Sequence, residues 1–447
     1  MNRKHFNTIV VGVGGMGSAT CYQLAKRGRR VLGLDQYDVP HMKGSSHGYT
    51  RIIRLAYYEH PSYVLLLKRA YELWRDIENL AAEPLLHYTG SIDAGSAESL
   101  SFRGALQSAV QYDLDHEVLT GLEMAKRFPG YRFPHDLLGL FQPQGGFLVP
   151  ERCIVSYANQ AMALGAEIHG RERVLGFDRA NGGGVRVRTN RDEYTADSVV
   201  VTAGAWDRDL MPMLSNLAVP ERQVLGWFQP NKPHLFQPSN FPVFNVTVPE
   251  GRFYGFPIYG IPGFKVGKYH HFQETGTPEQ LTTGDNEPRL DDELVLRDFT
   301  SRYFPDADGP TMTLAACLFT NTPDGHFIID QHPQLPAVYY ASPCSGHGYK
   351  FASVIGEIMT ELATLGQTRW DISLFRADRF GIPTSELFRD KGPAPRVSTS
   401  HHGDPFASGG HQPQQRTKAP ADHRGSGSPD DTRNPRYWQR DEVSTFW

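Results

Sequence analysis

Three glycines with the spacing of a dinucleotide-binding turn, Gly12, Gly14 and Gly17, directly follow the β-branched residues 8–11. In such a turn the first glycine allows the tight bend, the second lets the backbone approach a pyrophosphate, and the third lets a helix pack on the strand. The phosphates would then lie at the positive N-terminus of that helix. Asp35 ends the next strand-like run, where an acidic residue accepts hydrogen bonds from a ribose. The spacing predicts dinucleotide binding and leaves NAD and FAD both open.

A polar loop with two arginines follows at residues 44–54. Its small and hydroxyl-bearing residues, such as Ser45 and Thr50, suit close contact with a cofactor. Arg51 and Arg54 are three residues apart, so one helical turn would bring them near one face. An arginine fork binds a carboxylate through two parallel hydrogen bonds. Two isolated arginines are more often solvated, but the apolar residues around this pair favour burial and a functional role.

Two further segments carry residues with chemical potential. Cys317 stands among alanines, a setting in which a cysteine is usually an inert small hydrophobe. Residues 345–350, Ser-Gly-His-Gly-Tyr-Lys, combine glycines, a histidine and a lysine where a helix is predicted to begin. That combination suits an anion or the edge of a flavin ring, and from spacing alone neither role is favoured over an ordinary turn.

Helix and strand patterns that could position these residues recur at the start, middle and end of the chain. Residues 8–11, 16–27 and 30–34 predict a β-α-β unit, with Gly28 as the helix C-cap. The later patterns predict strands at 198–203, 326–330 and 338–341 and helices at 154–164 and 351–364. Residues 223–267 are instead rich in Phe, Tyr, Val and Pro, which is typical of antiparallel strands.

This alternation predicts an α/β protein in which a Rossmann-like nucleotide-binding domain is interleaved with a substrate domain built on a β-sheet. The predicted nucleotide-binding ranges are 1–80, 150–215 and 320–385, and the predicted substrate-domain ranges are 81–149 and 216–319. From about Asp390 the composition shifts to Ser, Gly, Pro, His, Arg and Asp. Such a segment buries too little apolar surface to offset its ordering entropy, so residues 390–447 are predicted to form a disordered tail.

Composition excludes several classes of protein. The 447 residues are 39% hydrophobic and carry a formal net charge of −4, so neither wholesale disorder nor nucleic-acid binding is expected. Four scattered cysteines fit neither a disulfide scaffold nor a paired-cysteine zinc site, and no metal site is predicted. No membrane span or secretory signal is recognised, so we expect a cytoplasmic protein.

Taken together, the motifs resemble those of the monomeric sarcosine oxidase and N-methyl-L-tryptophan oxidase family of flavoenzymes. The carrying stretches are GVGGMG, GSSHGYTRIIRLAY, AACLFTNTPDGHFIID and SGHGYKFAS, in order and at the family spacing over residues 8–380. The resemblance implies that the cofactor is FAD, bound covalently through a thioether to Cys317. It also implies a monomer that acts on a small N-methyl amino acid and oxygen.

The resemblance also assigns roles to individual residues. Arg54 and Lys350 match the positions that clamp the substrate carboxylate, and Arg51 matches a basic residue close to the flavin. Lys265 matches the lysine linked to oxygen activation, and Tyr254 falls on an active-site position. The implied cofactor-binding residues are Gly12, Gly14, Gly17, Asp35, Ser45, His47, Thr50, Arg51, Cys317, Gly346, His347, Gly348 and Lys350.

Several positions depart from the family pattern. Tyr49 stands where the family usually has an aspartate, and the segment after Lys265 is one residue longer than in sarcosine oxidases. The expected pocket histidine is therefore His270 or His271, with His270 favoured as the catalytic residue. At two positions expected to line the substrate pocket, Phe319 replaces a tyrosine and Asn245 replaces a methionine. The reaction class follows from the resemblance, whereas the preferred substrate side chain does not.

The predicted function is oxidation of a secondary N-methyl amino acid, giving the demethylated amino acid, formaldehyde and hydrogen peroxide. One alternative is an oxidase or dehydrogenase of another secondary amine, such as pipecolate or a sugar-modified amino acid. Another is a flavin-binding protein without catalysis, against which the joint presence of Arg54, Lys265, Cys317 and Lys350 argues.

Overall fold

A computed structural model describes residues 4–282 and 287–381, and the predicted tail lies outside the described residues. The strands are β1 (His5–Val11), β2 (Val31–Leu34), β3 (Arg51–Ile53), β4 (Leu86–Tyr88), β5 (Ser91–Gly95), β6 (Glu117–Thr120), β7 (Leu138–Gln142), β8 (Gly146–Leu148), β9 (Glu167–His169), β10 (Val174–Arg179), β11 (Val185–Thr189), β12 (Glu193–Val201), β13 (Val219–Phe228), β14 (Val243–Val248), β15 (Gly251–Phe256), β16 (Phe264–Lys268), β17 (Thr311–Asn321), β18 (Ile328–Gln331) and β19 (Val338–Ser342).

The helices connect and cover these strands. They are α1 (Gly15–Lys26), α2 (Tyr63–Ala81), α3 (Leu100–Gln111), α4 (Gly121–Arg127), α5 (Pro150–Ala163), α6 (Asp207–Leu210), α7 (Pro278–Thr282), α8 (Leu290–Tyr303) and α9 (Ala352–Leu365). Short 3₁₀ turns occupy Gly204–Trp206, Pro212–Leu214, Pro233–Phe236, Pro305–Ala307, Tyr349–Phe351, Ser373–Phe375 and Ala377–Phe380. None of the helices within the described ranges is both long enough and apolar enough to cross a membrane.

The first sheet holds the nucleotide-binding turn. Its order is β10-β11-β12-β1-β2-β9, with β19 pairing β12 and β18 pairing β19. β1 runs parallel to β2 and β12, and their apolar residues are buried on both faces. Such runs are typical of parallel strands covered by helices. On one face α1 packs closely against α9, where a Cβ at Gly356 would come within 2.7 Å of Ala19. The predicted β-α-β unit is confirmed, and Gly28 adopts a φ of 70° just after α1.

The second sheet is mostly antiparallel and forms the floor of the site. Its order is β17-β13-β16-β15-β14-β5-β7-β6. Alternate residues of the strands point to opposite faces, and on one face Phe244, Phe253 and Phe264 pack against Phe299 and Phe304 beside α8. The other face carries the polar and aromatic residues of the site described below.

A small third sheet, β3-β8-β4, carries Arg51 on β3. Strands of the first two sheets alternate along the chain, since β5 to β7 and β13 to β17 lie between strands of the first sheet. The predicted fold class, a mixed α/β protein, is therefore confirmed.

The packing of α8 on the second sheet predicts a sharp contrast between two substitutions on that helix. Phe299 is fully buried and stacks on Phe253 with ring centroids 3.9 Å apart, whereas Leu290 is 69% exposed. Phe299→Ala should lower the free energy of unfolding by about 3–5 kcal/mol because it leaves a cavity. Leu290→Ala should change it by less than about 0.5 kcal/mol. Urea denaturation measures both, and equal losses would show that α8 does not hold the sheet.

Candidate functional site

The nucleotide end of the site is built by the turn between β1 and α1. Gly12 has a φ of 89°, and a Cβ there would come within 2.6 Å of the Thr202 carbonyl oxygen. A Cβ at Gly17 would come within 1.8 Å of the Gly12 carbonyl oxygen, so both positions exclude larger residues. Gly14 is the N-cap of α1 and caps it with no side chain. The Gly15 N–H donates to Ser46 Oγ at 3.3 Å, and the positive end of the helix lies at the cavity lined by Gly14, Gly15 and Met16.

Asp35 completes this end at the tip of β2. One carboxylate oxygen accepts a hydrogen bond of 2.9 Å from the Val13 backbone N–H, and the other accepts one of 2.9 Å from Tyr37. These bonds hold the carboxylate beside the glycine turn, and both Asp35 and the turn line the same cavity. The position suits hydrogen bonds from the hydroxyls of a ribose.

A second cavity continues the first, and the two share wall residues. The shared residues are Met16, Ser45, Ser46, Pro343 and Cys344. The second cavity is further lined by Arg51, Ile52, Tyr254, Phe256, Tyr269, Cys317, Leu318, Phe319, Gly346, His347, Gly348, Tyr349 and Lys350. One groove therefore runs from Asp35 to Cys317, and residues predicted from three separate motifs meet in it.

Strand alternation explains why several predicted residues lie together on the floor of this groove. Residues directly opposite each other on neighbouring strands share a face. Lys265 of β16 lies between Phe256 and Trp227, and Tyr254 of β15 lies opposite both Asn245 and Gly267. On β17, Cys317 and Phe319 are two residues apart and so point the same way. One face of the second sheet thus supplies five of the predicted site residues: Asn245, Tyr254, Lys265, Cys317 and Phe319.

Two glycines make room for aromatic walls of the cavity. A Cβ at Gly267 would come within 2.5 Å of the Tyr254 ring, and a Cβ at Gly346 would come within 2.6 Å of the Phe319 ring. Gly346 also has a φ of 80°, which disfavours any other residue. The rings of Tyr254 and Phe319 lie where they do because these backbone positions have no side chain.

Lys265 is buried beneath the arginine loop. Its Nζ donates to the Gly48 carbonyl at 2.7 Å, the Thr50 carbonyl at 3.0 Å and the Thr50 Oγ1 at 2.9 Å. The ammonium also lies 4.3 Å from the centroid of the Phe256 ring. Burial, reinforced by the nearby Arg51, lowers the pKa of Lys265 well below its usual range. The loop oxygens offset part of that cost and hold the group in one position.

Arg51 links the arginine loop to the cysteine. Its guanidinium donates to the carbonyls of Thr50 and Ser45 at 2.9 Å each, and Nη2 lies 3.5 Å from Sγ of Cys317. Arg51, Ser45 and Cys317 all line the second cavity.

Arg54 is enclosed by carboxylates instead of facing open space. Nη2 donates to Glu59 at 3.0 Å, Nη1 donates to the Ala56 carbonyl at 2.9 Å, and Nε lies 3.3 Å from Oδ1 of Asp93. Burial acts to raise the pKa of Glu59, but Arg54 together with His347, Lys350 and Arg252 outweighs it and lowers that pKa to about 2. Burial raises the pKa of Asp93 to about 6 against the opposing effect of Arg54. Among the described residues, Lys350 contributes to the cavity wall and Arg54 does not.

Lys350 is the buried cation of the wall. Its Nζ donates to the His347 carbonyl at 2.6 Å, and burial, with a further contribution from Arg54, lowers the pKa of Lys350 to about 7. Burial also lowers the pKa of His347 to about 4, so its ring is neutral near pH 7. Since the Gly325 carbonyl 2.9 Å from Nε2 can only accept, Nε2 carries the proton and Nδ1 accepts from the Tyr57 hydroxyl at 2.5 Å.

The structure places neither of the two predicted histidines in the cavity wall, although the centroid of the His270 ring lies 6.4 Å from that of Phe319. β16 ends at Lys268, and His270 follows in a left-handed conformation with its half-exposed ring 2.9 Å from Glu221. His271 is buried elsewhere, with Nε2 3.0 Å from Asp292. Neither histidine lines the cavity formed by the described residues, whereas Tyr269 does. Counting in steps of two from Lys265 through Gly267 leads to Tyr269, and this alternation is the signal that could have identified it.

The sequence alone also does not predict the hydrogen-bond partners of Asn245. Its amide donates to Asp93 at 2.9 Å, and Tyr269 donates its hydroxyl to Asn245 Oδ1 at 3.2 Å. Asp93 lies on β5 directly opposite Asn245 of the parallel neighbour β14. Two further predicted residues are buried near the loop: Thr50 accepts from Lys265, and burial lowers the pKa of His47 to about 3. No group of metal-ligating side chains occurs within residues 4–282 and 287–381.

Comparison with known proteins identifies the family to which the chain belongs. The model of the FAD-dependent oxidoreductase family (DAO) matches residues 7–362. The chain is a member of that family. It is 40% identical over 385 residues to the monomeric sarcosine oxidase of Bacillus sp. (strain B-0618), an alignment that covers 85% of this chain and 98% of the relative. It is 34% identical over 382 residues to the N-methyl-L-tryptophan oxidase of Citrobacter koseri, covering 84% and 99% of the two chains.

Solved structures share the fold of this FAD-dependent oxidoreductase. NikD, an amino acid oxidase of nikkomycin biosynthesis, superposes with a TM-score of 0.72 at 24% identity over 83% of this chain and 97% of its own. L-proline dehydrogenase from P. horikoshii gives a TM-score of 0.72 at 21% identity, over 85% and 98% of the two chains. The glycine turn, the helix N-terminus and Asp35 fit the adenosine diphosphate half that NAD and FAD share, and the family match decides the choice in favour of FAD.

The glycine turn predicts different outcomes for two neighbouring substitutions. A Cβ at Gly14 would meet only Ser46 Oγ, at 3.5 Å, and would otherwise occupy the cavity. Gly14→Ala should therefore fold but retain little FAD, because the methyl group takes space needed by the pyrophosphate. Gly17→Ala, which clashes with backbone, should instead lower the yield of folded protein. Flavin-to-protein absorbance ratios and thermal melting distinguish the two, and full FAD content in Gly14→Ala would contradict this placement of the phosphates.

Proposed function

We propose that this FAD-dependent oxidoreductase oxidises N-methyl amino acids of the sarcosine or N-methyl-L-tryptophan type. Its products would be the demethylated amino acid, formaldehyde and hydrogen peroxide. The observation that carries this proposal is Lys350, a buried cation in the wall of a cavity that is also lined by Cys317 and five phenylalanine or tyrosine side chains. The names of the relatives point to the same substrates. Since four of the relatives are named monomeric, we propose a monomer as well.

The chain's residues would mainly bind, orient and shield the substrate. When bound, FAD would supply the two-electron redox chemistry that converts the N-methyl amine to an imine with oxygen as the final acceptor, and water would then release formaldehyde from the imine. Lys350 would bind the substrate carboxylate, with Arg54 behind the wall adding to the positive potential. The rings of Tyr254, Tyr269 and Phe319 would enclose the N-methyl end and exclude water.

Cys317 is the proposed point of covalent FAD attachment. Its thiol is buried in the cavity wall, and Nη2 of Arg51 lies 3.5 Å from its Sγ. The new bond would join Sγ to the 8α carbon of the flavin. One proton leaves the thiol and one leaves the 8α methyl group, and the released electron pair passes through the flavin to oxygen.

Lys265 is the proposed oxygen-activating residue. Transfer of the first electron to oxygen creates an anion, and a fixed cation in a low-dielectric setting stabilises that charge as it develops. Three loop oxygens already hold the ammonium, so no reorganisation is needed at that moment.

An aerobic substrate panel tests the proposed function. Sarcosine, N-methyl-L-tryptophan, pipecolate and a fructosyl amino acid should be compared for peroxide and formaldehyde release. We expect N-methyl amino acids to give equal amounts of peroxide and formaldehyde. Turnover of pipecolate or the fructosyl amino acid alone would replace the proposal with another secondary-amine oxidase, and reduction without peroxide would indicate a different electron acceptor.

Two cysteines of the groove allow a matched test of attachment. Cys317 and Cys344 both line the second cavity, but only Cys317 lies in the segment that matches the family's attachment motif. Flavin should co-migrate with denatured wild-type chain and with Cys344→Ser, and should be released from Cys317→Ser. Release from all three proteins, or from Cys344→Ser alone, would rule out Cys317.

Two lysines of β16 allow a matched test of oxygen activation. Lys265 and Lys268 lie on opposite faces of the strand. Lys265→Met should slow reoxidation of the reduced enzyme by about 10²–10³-fold because a preorganised charge is lost. It should slow anaerobic reduction by substrate far less, and Lys268→Met should leave both rates within about twofold. Stopped-flow absorbance separates the half-reactions, and equal slowing of both in Lys265→Met would make the lysine a substrate or structural residue.

A further inference from the structure

Arg252 lies at the edge of the groove, and the proposed function assigns it no role. It stands two residues before Tyr254 and four before Phe256 on β15, so all three side chains leave the same face of the strand. Tyr254 and Phe256 line the second cavity. Arg252 therefore extends the cavity floor outward along the strand.

Aromatic rings hold the guanidinium of Arg252. Its central carbon lies 3.8 Å from the centroid of Tyr269, a ring that lines the cavity, and 5.6 Å from the centroid of Tyr58. Stacking uses the flat face of a guanidinium and leaves the N–H groups at its edge free to donate. The position is thus fixed while the hydrogen-bonding capacity is preserved.

The nearby carboxylates are already engaged by another cation. Glu59 and Asp93 both pair with Arg54, whose guanidinium lies 4.2 Å from the same Tyr58 ring. Within the part of the chain that the structure describes, the Arg252 guanidinium has no ion-pair or hydrogen-bond partner, whereas its backbone carbonyl accepts from the Tyr269 N–H at 2.9 Å. This end of the site therefore has three cations, Arg54, Lys350 and Arg252, and two carboxylates.

The wall between Lys350 and Arg252 is polar as well. Tyr269 donates to Asn245, and Asn245 donates to Asp93, so a chain of hydrogen bonds crosses the floor next to the stacked arginine. A purely apolar substrate side chain would leave the Arg252 N–H groups desolvated and without an acceptor, which is costly. An anionic side chain would supply that acceptor.

We propose that Arg252 binds a second carboxylate of the substrate, so that the enzyme prefers N-methyl amino acids with an acidic side chain, of aspartate or glutamate length. Lys350 would bind the α-carboxylate and Arg252 the side-chain carboxylate. This inference rests on the proposed function for the α-carboxylate and the N-methyl group, while the anion site itself does not depend on turnover.

The kinetic test compares acids with their neutral amides. We expect the wild-type enzyme to favour N-methylaspartate or N-methylglutamate over N-methylasparagine and N-methylglutamine. Arg252→Met should reduce kcat/KM for the preferred acid by about 10²-fold, the scale for truncating one partner of a desolvated charge pair. Sarcosine, which has no side chain, should change by less than about twofold, and Arg252→Lys should restore part of the loss. Equal losses on sarcosine and the acid, or no preference for acids in the wild type, would overturn the proposal.

A binding measurement separates this inference from the proposed function. Isothermal titration of the FAD-loaded enzyme with glutarate and with its monoamide needs no turnover. Glutarate should bind the wild type more tightly than the monoamide does, and Arg252→Met should remove the difference. If glutarate shows this pattern while no N-methyl amino acid is oxidised, the proposed function fails and the anion site stands. If glutarate and the monoamide bind the wild type equally, the anion site is refuted even where sarcosine is oxidised.

Discussion

Buried positive charge is the constraint on which the rest of this site depends. Four cationic side chains are buried or half-buried around one groove, and each is held by oxygen atoms of the protein. These side chains are Arg51, Arg54, Lys265 and Lys350. An unpaired buried charge costs several kcal/mol by general estimates, so the oxygens that receive these donors must be positioned by the fold. Most come from the backbone of the loop around residues 45–56 and of the segment at 346–350.

The second sheet separates the apolar core on one face from the site residues on the other. Its antiparallel strands alternate strictly, so one face packs phenylalanines against α8 and the other presents Lys265, Tyr254 and Cys317 to the groove. A shift of one residue in any of these strands would exchange the two faces. The rigidity of the phenylalanine core therefore fixes the position of the cysteine and the lysine relative to the nucleotide-binding turn.

Much of this arrangement could be predicted from the sequence because local patterns carried it. The β-branched run before Gly12 and the helix that ends at Gly28 determine the nucleotide-binding unit by short-range geometry alone. The enclosure of Arg54 could not be predicted, since Asp93 reaches it from β5 of another sheet, and Glu59 reaches it from the loop that precedes α2. The residue after β16 that lines the cavity is likewise not given by the family pattern, which points to His270 or His271. The alternation of the strand from Lys265 through Gly267 leads instead to Tyr269.

The groove has more positive than negative side chains, and we propose that a bound carboxylate balances this excess. Proton uptake on carboxylate binding tests that proposal most directly. The pKa of Lys350 is lowered to about 7, so its ammonium is lost as the pH rises through that value. Acetate binding to the FAD-loaded enzyme at pH 8 should restore the ammonium and take up close to one proton, whereas at pH 6 uptake should be small. Titration calorimetry in buffers of different ionisation enthalpy measures this, and Lys350→Arg, which stays charged, should bind acetate without uptake at pH 8. Binding at pH 8 without proton uptake, or with the same uptake in Lys350→Arg, would contradict the account.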